Sequence, residues 1–238
     1  MQYLQTIFQI GQPILSGIGH WIFPPLCNGC GQPLTESTPF LCISCLRTLE
    51  HPSMEVIQAH LQTQWRSEAR IKAGFSLWMF DAGGTVQKLQ HALKYRNRPR
   101  IGRYIGSLLG NHLLEMAGDW KADVLVPVPL SRLRQIERGY NQSAELAKGM
   151  SHVLGLVVEE GNLVRSRSTT SQTKLDAQGR WANVSGAFNV LRPEEMKGKR
   201  ILLVDDILTT GATLAAAAIP LFEAGASQVR VATMAVVR

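Results

Sequence analysis

Two adjacent carboxylates, Asp205 and Asp206, lie directly ahead of a run of small and hydroxyl-bearing residues. The four apolar residues Ile201–Val204 before them predict a buried strand, and ligands of open α/β sheets bind at the carboxyl ends of strands. Backbone N–H groups of a small-residue loop at a helix start bind phosphate, and threonine hydroxyls donate further hydrogen bonds. The segment therefore predicts a sugar-phosphate site, with ribose hydroxyls on the carboxylates and the phosphate in the loop formed by Thr209, Thr210, Gly211, Ala212 and Thr213. An isolated pair of acids at a strand end would instead indicate capping of the next helix.

All four cysteines lie in one short stretch, as two Cys-x-x-Cys pairs separated by eleven residues. Each pair can occupy a tight turn, and two such turns present four thiolates at tetrahedral corners around one zinc ion. The predicted ligands are Cys27, Cys30, Cys42 and Cys45. A site with four protein ligands has no open position, so the zinc would be structural. Two disulfides or four unrelated thiols are the alternatives, and disulfides are disfavoured because no export signal is recognised. His51 is a weaker candidate ligand, and a solvent-exposed position suits it better.

The elements that must position these residues alternate along the chain. Strands are predicted at Ile71–Phe80, Val124–Val128, Ile201–Val204 and Val229–Val237. Helices are predicted at Thr85–Tyr95, Ile101–Met116 and Asn141–Leu154, with a further helix in the polar stretch from Glu50 to about Arg70. This alternation predicts an α/β fold with a parallel sheet flanked by helices on both faces. In the alanine-rich helix after the phosphate loop, Pro220 should kink the helix or end its regular hydrogen bonding.

Composition and charge limit the class of protein. Apolar residues make up 45% and charged residues 18% of the chain, which argues against a mostly disordered protein. The net charge of +7 favours anionic ligands such as phosphates or nucleic acid, although a solvated basic surface explains it equally well. The segment Met1–Leu26 is apolar but lacks a basic region and a cleavage site, and we expect it to form amphipathic turns on the body. No apolar run is long enough to span a bilayer, so a cytoplasmic location is expected.

Three segments resemble those of phosphoribosyltransferases. Ile201–Thr213 resembles the motif with which type I phosphoribosyltransferases bind 5-phosphoribosyl 1-pyrophosphate (PRPP). Val126–Arg134, followed by Arg138–Gln142, is similar to the pyrophosphate-loop region of amidophosphoribosyltransferases. Gln172–Arg180, followed by Gly186-Ala-Phe188, is similar to their flexible catalytic loop.

A cysteine-pair module ahead of these segments is the arrangement of the ComF family, also called ComFC, the late-competence phosphoribosyltransferase-like proteins. Lys94-Tyr95-Arg96 resembles that family's Lys-Tyr segment, and the resemblance runs from about Pro24 to Arg238. It implies a type I phosphoribosyltransferase-like domain at residues 56–238 behind an N-terminal segment and four-cysteine zinc module at residues 1–55. It also implies a link to natural transformation, with single-stranded DNA and competence proteins as partners.

The resemblance also implies the roles of particular residues. Transfer from PRPP displaces pyrophosphate through an oxocarbenium-like transition state, and Mg²⁺ bound to phosphate oxygens neutralises the leaving group. The implied catalytic residues are Asp205, Asp206 and Arg180, and further PRPP contacts fall to Ser131, Arg132, Lys94 and Gln172. Arg165 and Lys174 are weaker candidates on the segment expected to be mobile, which includes Ser166–Ser171.

Two departures from the enzyme pattern leave catalysis open. The chain has no glutaminase domain and no cysteine outside the module, so glutamine-dependent amination is not expected. Purine-salvage phosphoribosyltransferases carry an aspartate general base where this chain has Thr209, so another group or the substrate must release the proton. The phosphoribosyl acceptor is therefore undefined.

The alternative function is single-stranded DNA binding. Its predicted surface combines cations with interleaved aromatic rings: Lys94, Arg96, Arg98, Arg100 and Arg103 with Tyr95 and Tyr104. Cations follow phosphates and aromatic rings stack on bases. Lys94 serving PRPP, with the other cations solvated, is the competing explanation.

Overall fold

A computed structural model describes residues 24–34, 38–61, 69–95, 98–116, 120–167 and 177–238. The described helices are α1 (Ile43–Arg47), α2 (Met54–Leu61), α3 (Thr85–Tyr95), α4 (Pro99–Glu115), α5 (Arg132–Arg138), α6 (Gln142–Leu154), α7 (Ala177–Val184) and α8 (Ala212–Glu223). The strands are β1 (Gly74–Met79), β2 (Val124–Pro127), β3 (Val157–Val158), β4 (Leu163–Arg165), β5 (Phe188–Val190), β6 (Arg200–Leu208) and β7 (Gln228–Val236).

Five strands form one parallel sheet in the order β1-β7-β6-β2-β3, which confirms the predicted fold class. The chain proceeds from β6 to β7 on one side and from β2 to β3 on the other. The strand order therefore reverses between β2 and β6, and crevices at such reversals bind ligands in open α/β sheets. A separate antiparallel pair, β4 and β5, lies outside this sheet.

Alternating side chains of the central strands fill two hydrophobic cores. Ile201 and Leu203 pack with the alanine-rich helix α8 on one face of the sheet. Leu202 and Val204 belong to the core of the other face, which is built with α3, α4 and α6. Because both faces are covered, β6 is apolar without interruption from Ile201 until Asp205.

Helix α6 lies against α4 at a distance that only glycine permits. A Cβ added at Gly106 of α4 would lie 2.0 Å from the carbonyl oxygen of Leu146, and one at Gly149 of α6 would lie 2.0 Å from that of Arg103. This close approach fixes α6, whose first turn faces the carboxyl edge of the sheet.

Two expectations about the elements were wrong in part. Strand β6 extends four residues beyond the predicted Val204, because it remains paired with β7 as far as Leu208. Helix α8 continues through Pro220 to Glu223, so the proline does not end the helix, and the expected kink stays a prediction. Proline removes a single N–H donor and leaves the flanking helical hydrogen bonds available. The turns expected before residue 24 lie outside the described residues.

The cysteine module packs on the body rather than standing apart. Cys27, Leu34 and Leu41 belong to the same hydrophobic core as Leu89 and Leu93 of α3. The division at residue 55 remains a prediction from the sequence.

Candidate functional site

A cleft of about 370 Å³ opens between the carboxyl ends of β2 and β6. The last register pair between these strands is Pro127 with Val204, and the Val128 N–H donates to the Val204 carbonyl at 2.9 Å. Beyond Val204, β6 pairs only with β7 among the described strands. Asp205 and Asp206 therefore line the cleft from within the last half of β6, at the reversal in strand order.

Each carboxylate has its own set of donors. The Ser143 hydroxyl, in the first turn of α6, donates to Asp205 Oδ1 at 2.9 Å, and the Asp206 N–H donates to the same oxygen at 2.8 Å. Lys94 Nζ lies 2.9 Å from Asp206 Oδ2, and Gln90 Nε2 lies 3.4 Å from it. Gln90 and Lys94 are four residues apart, so they share one face of α3.

The two acids hold their protons differently. Burial, followed by the adjacent charge of Asp206, raises the pKa of Asp205 to about 7. Burial also acts to raise the pKa of Asp206, but the Lys94 ammonium and hydrogen bonds from Lys94, Gln90 and the Ile207 N–H outweigh it, so that pKa is lowered. Near neutral pH the pair therefore carries one firm negative charge and one that is readily neutralised.

The predicted phosphate loop lies beside these acids. Thr209 and Thr213 line the cleft, and Gly211 caps α8 with a φ of 77°. A Cβ at Gly211 would lie 2.8 Å from the His60 carbonyl oxygen, so both the backbone conformation and the space require glycine. The loop thus directs the amino end of a twelve-residue helix towards the cleft, and such an end attracts anions. Thr210 and Ala212 are part of this loop and helix start, although neither lines the cleft.

Three arginines line the cleft around the acids. Arg134 and Arg138 lie on α5, and Arg165 ends β4 with its guanidinium 5.3 Å from the Phe188 ring centre. Burial and the charge of Arg134 lower the pKa of Arg165, and Asp205 opposes the shift. With Lys94, the described lining holds four cations against two acids, which suits a ligand that carries several negative charges.

The predicted pyrophosphate contacts are placed otherwise than expected. Ser131 is buried and caps α5, since its hydroxyl accepts a hydrogen bond from the Arg134 N–H at 3.5 Å. Arg132 is exposed and does not line the cleft. The predicted contacts were Ser131 and Arg132, whereas the cations of this segment that line the cleft are Arg134 and Arg138. Arg134 and Arg138 are four residues apart in a helix that begins after Ser131, so this spacing alone predicts that they lie on one face of that helix.

Other residues of the catalytic-loop prediction are only partly described. Arg180 lies partly buried in α7 and does not line the cleft. Gln172 and Lys174 lie outside the described residues, as do residues 168–171. Ser143, which contacts Asp205, was missed because only the packing of α6 brings it there. Gln90, which contacts Asp206, was missed although it lies four residues before Lys94 on the same face of α3.

The predicted DNA-binding cluster is divided by the fold. Tyr104 is only 8% exposed and packs on Phe40 with ring centres 5.5 Å apart, so its expected stacking on a base was wrong. Lys94 pairs with Asp206, and Arg103 pairs with Glu145 at 2.7 Å. Tyr95 is 67% exposed, and Arg98 and Arg100 are exposed as well. Arg96 lies outside the described residues.

The four cysteines converge as predicted. Their sulfur atoms all lie within 4.8 Å of one another. Gly29 allows this convergence, since a Cβ there would lie 2.8 Å from the Cys45 sulfur. His51 is exposed, and its Nδ1 lies 2.7 Å from the Leu77 carbonyl oxygen rather than in the cluster.

The electrostatics of this cluster suit a bound cation. Burial acts to raise the pKa of Cys27, but backbone N–H groups of Cys42, Cys30 and Gly29 lower it to about 6. Burial and the neighbouring thiols raise the pKa of Cys45 to about 12. Four thiolates so close together need a positive charge between them, and sulfur donors in this arrangement fit a tetrahedral soft metal ion such as zinc.

Helices long and apolar enough to cross a membrane are absent from the described part of the chain.

Comparison with known proteins gives consistent relationships. Residues 91–237 match the family model described as the phosphoribosyl transferase domain. The chain is 30% identical over 209 residues to the DNA utilization protein YhgH of Escherichia coli strain K12, an alignment that covers 87% of this chain and 82% of that protein. It is 33% identical over 194 residues to competence protein F of Haemophilus influenzae, covering 80% and 75%. It is 26% identical over 204 residues to competence protein ComFC of Bacillus subtilis, covering 84% and 79%.

Proposed function

The chain belongs to the ComF/ComFC family of phosphoribosyltransferase-like proteins, and from this premise we propose that its cleft binds PRPP together with Mg²⁺. The observation that carries the proposal is the meeting of Asp205 and Asp206 with the amino end of α8 in one cation-lined cleft at the reversal in strand order. Acids alone would repel a polyphosphate, and cations alone would not select a ribose. Their combination favours a ligand with hydroxyls at one point and phosphates on either side.

Each part of PRPP has a complementary region in this proposal. The 5-phosphate binds in the loop Thr209–Thr213, where backbone N–H groups and the helix dipole converge. The ribose hydroxyls bind Asp205 and Asp206. The pyrophosphate lies towards Arg134, Arg138 and Arg165, whose guanidinium groups bind phosphate oxygens in pairs.

The carboxylates also suit the metal ion. Mg²⁺ prefers oxygen ligands and keeps several of its waters, so the oxygens of Asp205 and Asp206 fit a hydrated ion carried by PRPP. When bound, such an ion neutralises charge on the pyrophosphate. The chain's own residues orient the ribose and supply the remaining positive charge. Phosphoribosyl transfer to an acceptor is the reaction that this arrangement would serve.

The four-cysteine site holds structural zinc in this proposal, and the protein acts on the cytoplasmic side of DNA uptake or utilisation. The second point is supported by the relatives' names, DNA utilization protein and competence protein.

A thermal-shift assay tests PRPP binding. Mg²⁺ with PRPP should raise the melting temperature of the wild type, because a ligand that binds only the folded state stabilises it. Asp206→Asn should reduce the shift, whereas Asp123→Asn, which changes an exposed acid paired with Arg200, should retain it. A wild type without any shift at millimolar PRPP would contradict the proposal.

A second function, single-stranded DNA binding, is favoured by one observation. Tyr95 is exposed next to Lys94 of the cleft, its ring 4.8 Å from His91, and Arg98 and Arg100 are exposed close by in sequence. The proposal is sequence-tolerant binding, in which Tyr95 stacks on a base and the arginines contact phosphates.

Fluorescence anisotropy with a labelled oligonucleotide tests this function. Affinity should fall steeply with salt, and Tyr95→Ala should weaken binding by about 1–3 kcal/mol, the usual contribution of one stacked base. Arg47→Gln, a change of an exposed arginine outside the cluster, serves as the control. Equal affinity of wild type and Tyr95→Ala at both salt concentrations would rule the surface out.

A further inference from the structure

The cysteine module and the ribose-phosphate cleft share one helix. Helix α3 begins at the module, where the Lys88 ammonium donates to the Gly29 carbonyl oxygen at 2.8 Å. Six residues further along, Lys94 reaches Asp206. At the usual rise of an α-helix this separation is about 9 Å, so one rigid segment joins the two sites.

The module contacts α3 closely at its start. A Cβ at Gly29 would lie 3.0 Å from the Thr85 hydroxyl oxygen and 2.8 Å from the Cys45 sulfur. The turn of the first cysteine pair therefore packs closely against both the start of α3 and the second cysteine pair. Buried side chains of the module and of α3, including Cys27, Leu41 and Leu89, belong to one core.

The amino end of α3 is fixed from a second direction. Asp81 Oδ2 accepts from the Thr85 N–H at 2.8 Å, and Asp81 Oδ1 accepts from the Val86 N–H at 2.8 Å. Capping of this kind holds the helix start in place. Rotation of the helix about its axis is set by its side contacts, which include the buried side chains of Val86 and Leu89. The Lys88–Gly29 hydrogen bond is such a contact, and rotation determines where Gln90 and Lys94 point.

The carboxyl end of α3 also contacts residues that line the cleft. The Leu93 carbonyl oxygen accepts from the Tyr140 hydroxyl and from Gln142 Nε2, and Gln142 also accepts from Arg138 Nη1 at 2.7 Å. A shift of α3 would therefore disturb both the acid side and an arginine of the cleft.

We propose that Lys88 is a positioning residue for the cleft: through the Gly29 carbonyl, the metal-binding module fixes the rotation of α3 and so places Lys94 and Gln90 against Asp206. The module thereby sets the affinity for PRPP as well as stabilising the fold. This inference rests on the proposed PRPP binding, and Lys88 itself does not line the cleft.

Lys88→Ala is the primary test, with Lys72→Ala as a matched change of an exposed lysine. Calorimetric titration with Mg²⁺ and PRPP should show about 3- to 10-fold weaker binding by Lys88→Ala, a range typical of contacting residues in one network. Zinc content per chain should stay at the wild-type value in both variants. Lys88→Arg, which can still donate to the Gly29 carbonyl, should restore most of the affinity.

A double-substitution cycle separates positioning from general loss of stability. In a Lys94→Gln background, where the positioned group is missing, Lys88→Ala should change PRPP affinity by less than about 2-fold, because coupled residues are not additive. The same loss of affinity in both backgrounds would overturn the proposal, as would wild-type affinity of Lys88→Ala.

Hydrogen–deuterium exchange of α3 distinguishes failure of this proposal from failure of PRPP binding. Without ligand, Lys88→Ala should speed amide exchange over residues 85–95, while Lys72→Ala leaves it unchanged. If the wild type binds no PRPP, the proposed function fails. Unchanged exchange in Lys88→Ala would overturn the positioning role whether or not PRPP binds.

Discussion

At the scale of residues, the site depends on two neighbouring acids held in different states. Asp206 is charged and paired with Lys94, whereas Asp205 is partly buried with a hydroxyl and an amide as its donors. A ligand with cationic or hydroxyl groups can engage Asp206 and relieve the cost of ionising Asp205. In the proposed function these adjacent acids bind the ligand, and in the free protein the buried Asp205 carboxylate lowers the stability of the fold.

This instability predicts a pH dependence. The folded protein raises the pKa of Asp205 to about 7, so between the ordinary carboxyl pKa and pH 7 the folded state binds more protons than the unfolded state. Stability from this group is present at acidic pH and is lost as pH rises through 7. The free energy of unfolding of Asp205→Asn, relative to that of the wild type, should therefore be higher at pH 8.5 than at pH 5.5. The expected increase is on the order of 1–2 kcal/mol.

Urea denaturation at the two pH values measures this difference. Asp123→Asn is the control, since the hydrogen bonds from Arg200 lower the pKa of Asp123 to about 2. That acid is ionised in the folded and unfolded states at both pH values, so the effect of its substitution should not vary between them. A destabilisation by Asp205→Asn that grows towards pH 8.5 would contradict the account of the pair.

The sequence was sufficient to identify the acids and the loop, but not all of their surroundings. Asp205, Asp206, Thr209 and Thr213 are close together in the chain, so one local pattern predicted the surface that they form. Lys94 came from a family resemblance. Arg165 was a weaker candidate from its place in the segment expected to be mobile. Gln90 lies four residues before Lys94 and so shares its face of α3, whereas Ser143 lies on α6 and only the packing of that helix brings it to the cleft.

At the scale of elements, the glycines of α4 and α6 determine where Ser143 lies. Because residues 106 and 149 are glycines, the backbones of the two helices are in contact, and the first turn of α6 places the Ser143 hydroxyl within hydrogen-bonding distance of Asp205. The sequence predicted both helices within two residues of their observed ends, yet it gave no sign of their separation. Backbone contact between two helices depends on which helix packs against which, and the local sequence of one helix does not identify its partner.

Gly106→Ala should destabilise the protein. In a helix without neighbours this change would stabilise by about 0.5–1 kcal/mol, but here the new methyl group would meet the Leu146 carbonyl, and overpacking costs about 1–3 kcal/mol. Gly110→Ala should cost less, because its methyl group would meet the Val153 side chain at 2.9 Å rather than backbone.

Urea denaturation of Gly106→Ala and Gly110→Ala measures which substitution lowers the free energy of unfolding more. Leu114→Ala, a change of an exposed residue on the same helix, should be close to neutral. Stabilisation by Gly106→Ala would show that the helices are not in backbone contact.

At the scale of the whole molecule, the four-cysteine module and the cleft at the end of β6 are parts of one packed body. Hydrophobic periodicity predicted the α/β class because central strands buried on both faces are apolar throughout. It did not predict the extra length of β6, which comes from pairing with β7 beyond the last pair with β2. That difference in length opens the crevice, since β7 holds the acids in extended backbone while β2 has already ended.

The most direct test of the central claim is a calorimetric titration of PRPP with Mg²⁺ into the wild type and into the Asp205→Asn/Asp206→Asn double variant. The account predicts saturable binding of one PRPP per chain by the wild type and at least a tenfold loss, about 1.4 kcal/mol, in the double variant. Circular dichroism should show that the double variant is folded. Equal affinity of the two proteins, or no binding by the wild type, would contradict the assignment of the cleft to a ribose phosphate.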